Sequence, residues 1–272
     1  MSSGTLLDRL LEPDSLTVVF QPMFGLEHRS WRLHALEALV RGPRGTNMAR
    51  ADVMFEYLRR KGEEQRFDRV CVQLALTAAG DLPGTPTLTI NVHASTLSRD
   101  LGFPAYLAEA AGASGVEPSR LVIEIVEHAP CYDVQRLARA LAAVRALGAR
   151  VALDDIGLGQ SNYRMILECR PEYYKIDRYL VCGAAADPYR RSVLRSLAEL
   201  ADGCGALTVA EGVESTADLD AVVSTGIALV QGYLLGRPLS ADALRRGELL
   251  AGLPAPVPAP GLAEPTTTLI PA

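Results

Sequence analysis

The stretch Val151-Ala152-Leu153-Asp154-Asp155 is a short apolar run that ends on two adjacent carboxylates. Other short apolar runs along the chain end in the same way on a polar residue, and Tyr173-Tyr174-Lys175 ends on a cation. In chain order, these ends are Gln21, Glu37, Asn91, Glu124, Asp154-Asp155, Lys175, Glu211 and Gln231. In a sheet of buried parallel strands, catalytic groups lie where the apolar runs stop. The pattern therefore predicts an enzyme.

Helical patterns lie between the apolar runs. Apolar residues recur at helical spacing from Val134 to Val144 and again from Val193 to Leu200. Strands that alternate with helices predict parallel pairing with right-handed crossovers. No GxGxxG or GxxxxGK[ST] loop is present, which favours a (β/α)8 TIM-like barrel of the α/β class over an open doubly wound sheet.

Two connections carry further helix signals. The stretch from Arg59 to Asp81 is rich in charge and helix formers, so we expect the early connection of the chain to contain two helices instead of one. Pro188 is expected in the first turn of a helix that reaches Cys204, with Gly203 and Gly205 marking its end. Apolar positions left over on this helix predict the surface of a homodimer.

The domain organisation follows from composition. We assign residues 5–251 to a single barrel domain and residues 252–272, rich in Pro, Ala and Thr, to a disordered tail. The segment before Thr17 is short, so we expect no sensor domain ahead of the barrel. Regulation would then come from oligomerisation, a separate partner or expression level.

The net charge of -5 argues against a broad grip on duplex nucleic acid, but not against a small anionic ligand. Five cysteines without a CxxC pair fit reduced thiols. No secretory signal is visible, and no run approaches the roughly twenty apolar residues of a membrane span. We therefore expect a cytoplasmic protein without a membrane partner.

Hard oxygen donors dominate the predicted barrel mouth: Glu37, Asn91, Glu124, Asp154, Asp155 and Glu211. Carboxylates at one rim repel too strongly to remain ionised alone, and divalent cations relieve that repulsion. Oxygen donors and few histidines favour Mg²⁺ or Mn²⁺ over zinc. The adjacent carboxylates of Asp154 and Asp155 suit two metals, because one can bridge while the other binds only the second ion. Two-metal sites typically cleave phosphate esters.

The segment Glu37-Ala38-Leu39-Val40-Arg41 resembles the signature of the EAL family of cyclic di-GMP phosphodiesterases. The resemblance spans nearly the whole predicted barrel. Several motifs in the family's order are more specific than any single motif. The further motifs are Phe20-Gln21-Pro22-Met23, Asn91-Val92-His93, Glu124-Ile125-Val126-Glu127, Asp154-Asp155-Ile156-Gly157, Lys175-Ile176-Asp177, Glu211-Gly212-Val213-Glu214 and Gln231-Gly232-Tyr233.

This resemblance implies metal-dependent hydrolysis of cyclic di-GMP to linear pGpG by two-metal, in-line attack of a bound hydroxide. It implies that Glu37, Asn91, Glu124 and Asp154 bind a first metal, and that Asp154, Asp155 and Glu211 bind a second. Lys175 resembles the catalytic lysine that holds the attacking water or hydroxide, which makes Lys175, Glu37, Asp154 and Asp155 the catalytic set. Gln21, Arg41 and Gln231 resemble substrate contacts, with Arg41 facing a phosphate, and Glu127 resembles the anchor of the loop after Asp155.

The chain departs from the family pattern at three places. Ile156-Gly157-Leu158-Gly159-Gln160-Ser161-Asn162 replaces the common Phe-Gly-Thr-Gly-Tyr-Ser-Ser, a loop implicated in metal placement and dimer coupling. Gly42 stands where Trp is frequent, and His93 stands where Ser is frequent. The altered loop keeps a second hypothesis open, a catalytically weak or inactive module that binds cyclic di-GMP or docks on a partner. A third is an unrelated barrel enzyme with the same oxygen-rich mouth.

Taken one at a time, these residues also have ordinary structural explanations. A single carboxylate can cap a helix or pair with an Arg, and a single lysine is more often ion-paired or solvated. We expect His93 to be a rim or packing residue and not a metal ligand. Tyr173, Tyr174 and Tyr233 are expected to pack in the core or at the barrel rim.

Overall fold

The fold is taken from a computed structural model, which describes residues 6–27, 30–84, 86–126, 133–157, 162–250 and 253. The strands in chain order are β1 (Thr17–Glu27), β2 (Ser30–Arg41), β3 (Thr87–His93), β4 (Leu121–Val126), β5 (Arg150–Ile156), β6 (Tyr173–Ile176), β7 (Leu207–Ala210), β8 (Leu229–Val230) and β9 (Leu239–Ser240).

The helices in chain order are α1 (Leu6–Leu10), α2 (Ala51–Lys61), α3 (Glu64–Gly80), α4 (Ala94–Arg99), α5 (Phe103–Ala113), α6 (Val134–Ala146), α7 (Asn162–Cys169), α8 (Arg178–Val181), α9 (Pro188–Gly203), α10 (Thr216–Ser224) and α11 (Ala241–Arg245). Within the described ranges, no helix has both the length and the apolar character that crossing a bilayer requires.

The first eight strands close into a barrel, as the sequence predicts. Strands β2 to β8 pair in order, each parallel to the next. Strand β1 closes the ring by pairing with β2 on one edge and with β8 on the other. The short strand β9 also pairs with β1, beside Val19 and Phe20. The α/β barrel prediction is confirmed.

The expectation of uniformly parallel pairing is wrong for β1. This strand runs antiparallel to β2 and to β8, and only residues 28 and 29 separate it from β2. So short a connection cannot carry a crossover helix, and it therefore returns the chain as a hairpin. As a result, Gln21 lies within β1 directly opposite Glu37 of β2, and neither residue is at its strand's end.

The helix predictions from sequence are confirmed. Two helices, α2 and α3, fill the connection from β2 to β3, and α2 ends at Gly62 in the left-handed conformation that glycine favours. The side chain of Asp133 caps the start of α6 by accepting from two backbone N–H groups. Pro188 is the first residue of α9, after the cap Asp187.

Three apolar clusters build the core, and one of them packs α1, α2 and α3 together through residues such as Leu10, Met54 and Phe67. A large cluster packs the outer faces of the strands against the surrounding helices. A smaller cluster fills the barrel interior, and each of its members comes from a different strand; we call it the apolar layer. Its members are Met23, Ala35, Val122, Ala152, Tyr173, Val209 and Leu229. This inner packing makes the barrel a filled core and not a pore.

Two predictions from the sequence remain predictions, one on the tail and one on the homodimer. Leu253 packs against the large cluster, and the rest of the proposed tail at 252–272 lies outside the described residues, so the division at residue 251 stays a prediction. The homodimer through α9 also stays a prediction, although Tyr189 and Val193 of this helix remain 83% and 43% exposed.

Candidate active site

The polar residues that end the apolar runs form a second layer above the apolar layer. In six strands the polar residue follows an apolar-layer residue by two positions, as Lys175 follows Tyr173 and Glu124 follows Val122. In the antiparallel β1 the order reverses, and Gln21 precedes Met23 by two. Residues two apart on a strand share a face, so all of these side chains point into the barrel. We call them the mouth layer: Gln21, Glu37, Glu124, Asp154, Lys175, Glu211 and Gln231.

Lys175 is the centre of the mouth layer. Its side chain is only 2% exposed, and four carboxylates lie around its ammonium. The Nζ atom contacts Glu124 Oε1 most closely and lies 2.8 Å from Glu211 Oε1. Glu37 Oε2 and Asp154 Oδ1 follow at 3.3 and 3.7 Å. Burial would lower the pKa of Lys175, but the four carboxylates raise it well above its ordinary value. Lys175 is therefore an ammonium ion.

Glu37 is held on both carboxylate oxygens by amide side chains. Asn91 Nδ2 donates to Oε1 at 3.0 Å, and Gln231 Nε2 donates to Oε2 at 2.6 Å. Burial raises the pKa of Glu37, yet Lys175 and these hydrogen bonds lower it below the ordinary value. Glu37 is therefore a carboxylate with a determined orientation, and Asn91 has only its amide oxygen left to offer to a cation.

Asp154 and Asp155 both reach the mouth, although neighbours on a regular strand point to opposite faces. The pairing of β5 with β6 is irregular between Leu153 and Ile156, and Asp155 takes a φ of 55°. Asp tolerates this left-handed conformation better than most residues. The Asp155 N–H then donates to Asp154 Oδ1 at 2.9 Å. A break in the strand thus brings two consecutive carboxylates to one rim.

Three further carboxyl groups, those of Glu211, Asp155 and Glu124, resist ionisation. Burial raises the pKa of Glu211 to about 8, with Asp154 and Glu37 adding to the effect and Lys175 opposing it. Burial raises the pKa of Asp155 to about 6, and the neighbouring Asp154 and Asp177 contribute. Burial and the charge of Glu37 hold the pKa of Glu124 well above its usual range. One ammonium therefore does not compensate the negative charge of the mouth.

The residues present fit hard divalent cations. Carboxylate oxygens of Asp154, Asp155 and Glu211 all lie within 4.8 Å of one another. Glu124 Oε2 is buried and has no hydrogen-bond partner among the described residues. A fully buried carboxylate oxygen that accepts no hydrogen bond destabilises the folded protein unless a ligand binds to it. The oxygen donor set matches the preference of Mg²⁺ and Mn²⁺.

A cleft of about 300 Å³ opens beside this cluster. Its lining includes the predicted residues Gln21, Glu37, Glu211 and Gln231. Arg41 lies elsewhere, because it lines a smaller cavity of about 70 Å³ together with Asn91, and its Nη1 donates to the Val40 carbonyl at 3.2 Å. Two of the predicted amides and two of the predicted carboxylates therefore line the cleft, whereas the arginine predicted to face a phosphate does not.

Sequence reasoning gave no site role to four residues that line the cleft: Asp177, Arg178, Glu214 and Tyr233. Each lies two or three residues beyond a predicted site residue, just after the end of a strand; Arg178 is the first residue of α8. This position could have singled them out, since loops at the carboxyl ends of barrel strands carry binding groups. Tyr173 and Tyr174 are buried as expected, whereas Tyr233 lies at the rim and is 49% exposed.

Two departures from the family pattern, at His93 and Gly42, have local structural explanations. His93 is buried, and Asp68 holds both its ring, at 2.8 Å from Nδ1, and its backbone N–H, at 3.0 Å. At Gly42, an added Cβ would lie 2.0 Å from the Met48 carbonyl oxygen, so no larger residue fits this turn. Glu127 and residues 158–161 of the altered loop lie outside the described residues.

A family model described as the EAL domain matches residues 5–238. The Mycobacterium tuberculosis protein Rv1354c is 29% identical over 245 residues, which are 88% of this chain and 39% of that protein. The cyclic di-GMP phosphodiesterase NbdA of Pseudomonas aeruginosa is 28% identical over 249 residues, which are 88% of this chain and 31% of the relative. The chain thus spans less than half the length of these relatives.

Among solved structures, BlrP1 of Klebsiella pneumoniae in complex with calcium and cyclic di-GMP superposes with a TM-score of 0.75 at 27% identity. The match covers 89% of this chain and 59% of BlrP1. The same protein has also been solved with manganese and cyclic di-GMP. These neighbours bind a divalent cation and the cyclic dinucleotide together.

Proposed function

The chain belongs to the EAL domain family, and from this premise we propose that it hydrolyses cyclic di-GMP to linear pGpG with the help of two Mg²⁺ or Mn²⁺ ions. One P–O bond of the cyclic dinucleotide is broken and one water is added. The observation that carries the proposal is the convergence of Lys175 with four carboxylates beside the cleft.

The proposed cation ligands are Glu37, Asn91, Glu124 and Asp154 for one ion and Asp154, Asp155 and Glu211 for the other. Bound divalent cations would polarise the phosphate oxygens and lower the pKa of water at this rim. The donor set supports this assignment through the buried Glu124 oxygen without a partner and through the clustering of Asp154, Asp155 and Glu211.

The chain's own residues supply orientation. Asn91 and Gln231 hold Glu37 in one rotamer, so its carboxylate loses little freedom when a ligand arrives. We assign Lys175 the role of holding the attacking water, because its buried ammonium is a fixed donor and stabilises negative charge that develops on oxygen. Gln21 and Gln231 are assigned to the substrate, since both line the cleft. Arg41 donates one N–H to the Val40 carbonyl and has further guanidinium donors with which it could join them.

The decisive experiment incubates the purified protein with cyclic di-GMP and either Mg²⁺ or Mn²⁺ and separates the products by chromatography. We expect pGpG with at least one metal and none with excess chelator. Glu37→Gln should abolish turnover, whereas Glu56→Gln, an exposed glutamate of α2 paired with Arg59, should not.

Two other results would replace the proposal. Tight binding of cyclic di-GMP that needs no metal and gives no product would identify a non-catalytic binding module. Faster cleavage of a simple phosphodiester than of cyclic di-GMP would identify a different barrel phosphodiesterase.

A further inference from the structure

A second groove lies at the protein surface, between α6 and the turn that leads into α5. Its volume is about 280 Å³, close to the volume of the cleft at the barrel mouth. We call it the α5–α6 groove, and its described lining residues are Leu101, Pro104, Arg136, Arg139, Ala140 and Ala143. None of these residues lines the cleft. The α5–α6 groove is therefore separate from the proposed site of hydrolysis.

Four of the lining residues give the groove an apolar surface. Ala140 and Ala143 lie one turn apart on α6, and their short side chains leave the space open. Leu101 and Pro104 line it from the α5 side. The side chain of Leu101 is 74% exposed, although burying a leucine is favourable by about 1.5–3 kcal/mol. An exposed leucine beside a concave apolar surface is typical of a site that contacts another molecule.

Two arginines make this apolar groove positively charged. Among the described residues, Arg139 makes no ion pair, and its Nε donates to the Gln135 carbonyl at 3.3 Å. Arg136 Nε lies 3.5 Å from Asp133 Oδ2, but both side chains are more than half exposed, so this pair contributes little. Helices α5 and α6 carry one carboxylate between them, Glu109, and it does not line the groove. The groove is thus locally cationic in a chain whose net charge is -5.

This charge favours an acidic partner over a second copy of the chain. A symmetric dimer places the same patch on both subunits, so Arg136 and Arg139 would meet arginines and no carboxylate. Like charges set against each other across an interface cost several kcal/mol. Duplex nucleic acid is also a poor fit, because two arginines neutralise few phosphates and the apolar residues would gain no contact from them.

The length of the groove indicates the form of the acidic partner. Its α6 residues run from Arg136 to Ala143, a distance of about 10 Å along the helix axis. Two turns of another helix have the same length, and apolar residues at i, i+3 or i+4 and i+7 share one face of such a helix. The small side chains of Ala140 and Ala143 allow a second helix to approach closely, since the distance between packed helices depends on the side chains at the contact.

We propose that the α5–α6 groove docks an acidic amphipathic helix of a partner protein. Aliphatic side chains of that helix contact Leu101, Ala140 and Ala143, and its carboxylates pair with Arg136 and Arg139. This is recognition of a helix in a groove, in which apolar anchors supply affinity and charges supply selectivity. The inference goes beyond the proposed hydrolysis, because no groove residue belongs to the mouth layer or to the cleft.

The test is a selection of displayed random peptides on the full chain. The peptides have about 14 residues, the length at which isolated helices begin to form in water. Clones that also bind the variant Ala143→Trp are discarded, since an indole at this exposed position fills the groove without changing its charge. We expect the remaining clones to contain more Asp and Glu than Lys and Arg, with Leu, Ile or Val at helical spacing.

Fluorescence anisotropy with a selected peptide then measures the contribution of each groove residue. Arg139→Glu should weaken binding by more than about tenfold, because it sets like charges against each other. Leu101→Ala should weaken binding by about tenfold, because an apolar anchor is lost. The matched controls are Arg195→Glu, at an exposed arginine of α9, and Leu167→Ala, at a 76% exposed leucine of α7. Both should bind as the wild type does, and thermal unfolding verifies that every variant, including Ala143→Trp, is folded.

Four results would overturn the proposal. They are a selection that leaves no clone, clones rich in Lys and Arg, a selected peptide that binds Arg139→Glu as tightly as the wild type, and a change from dimer to monomer in Leu101→Ala. The last result, measured by light scattering after gel filtration, would make the groove a contact between copies of this chain. Release of pGpG by Arg139→Glu should match that of the wild type, so failure of the docking proposal and failure of the proposed function are separate observations.

Discussion

The apolar layer and the mouth layer lie on the same strands, two residues apart, but their polar groups differ. The polar group of the apolar layer has its hydrogen-bond partners, whereas the mouth layer holds more carboxylates than cations. In the apolar layer, the Tyr173 hydroxyl accepts from Arg150 Nη1 at 2.7 Å and contacts His34 Nε2 at 3.1 Å. Arg150 also donates to Thr87 Oγ1 at 3.2 Å. Two positions further along β6, Lys175 faces four carboxylates that it cannot neutralise.

This difference separates stability from chemistry within one barrel. A buried hydroxyl that has hydrogen-bond partners leaves no polar group unsatisfied, and it makes the core more rigid. A buried group of like charges costs free energy that a bound ligand can recover. The contrast predicts that changes in the mouth layer affect turnover and metal response, whereas changes in the apolar layer affect folding.

The largest expected effect is on turnover. Lys175→Met should lower kcat for cyclic di-GMP by about 10²- to 10³-fold, because a fixed donor to developing negative charge is lost. Steady-state kinetics checks this, with Lys61→Met as the control, since Lys61 is the only other lysine and lies exposed at the end of α2. A Lys175→Met protein with wild-type kcat would remove the catalytic distinction between the layers.

The next effect is on metal-dependent stability. At a concentration of about 100 times its Kd, Mg²⁺ should stabilise the protein by about 2.7 kcal/mol, seen as a rise in Tm by scanning calorimetry. Asp154→Asn should lose most of this rise. Asp52→Asn, in an exposed pair with Arg50, should keep it. An equal rise in all three proteins would place the metal outside the mouth layer.

The response to Mg²⁺ should also depend on pH. The folded pKa values of Glu211 and Asp155, about 8 and about 6, exceed their ordinary values of 4.5 and 3.8. In the metal-free protein, the protonated forms of these two groups stabilise the folded state. This stabilisation is complete at pH values below their ordinary pKa values, and it is lost as the pH rises through their folded pKa values. Mg²⁺ requires the carboxylates, so the rise in Tm should be larger at pH 8 than at pH 6.

The smallest effect belongs to the apolar layer. Tyr173→Phe should lower the free energy of unfolding by about 1–3 kcal/mol, because Arg150 and His34 lose a buried partner. Urea unfolding measures this change, and kcat and the Mg²⁺ response should stay at the wild-type level. Tyr189→Phe, at an 83% exposed position, should change stability by less than about 0.5 kcal/mol. A Tyr173→Phe protein that loses turnover without losing stability would mean that the two layers are not independent.

Several features of the site were predictable because they depend on local pattern. The runs that became β3 to β8 are apolar since both faces of a parallel strand are buried, and their polar ends meet at one rim. The antiparallel course of β1 was not predictable from such a run, because pairing direction depends on the connection and on distant strands. Gln21 nevertheless lies in the mouth layer. Because β1 runs in the opposite direction, Gln21 precedes the apolar-layer residue Met23 instead of following it.

The rim residues show where reading the sequence stops being sufficient. Glu214 and Tyr233 lie in loops and Arg178 begins α8, and the positions of these segments depend on close approaches at Gly212 and Gly232. A glycine in isolation indicates only a turn. Arg41 belongs to the signature motif, yet its guanidinium turns to its own strand. A motif specifies which residue is present, whereas the side chain's direction depends on its neighbours in space.

The amino-acid sequence by itself determined the barrel and the set of oxygen donors at its mouth, because burial and strand period are local properties that recur along the chain. Only the tertiary structure decided that Lys175 lies among four carboxylates, that Asp154 and Asp155 share a rim, and that the segments after β6, β7 and β8 meet around the cleft. Those arrangements depend on distances between residues far apart in the chain, and such distances are set by how the whole barrel closes.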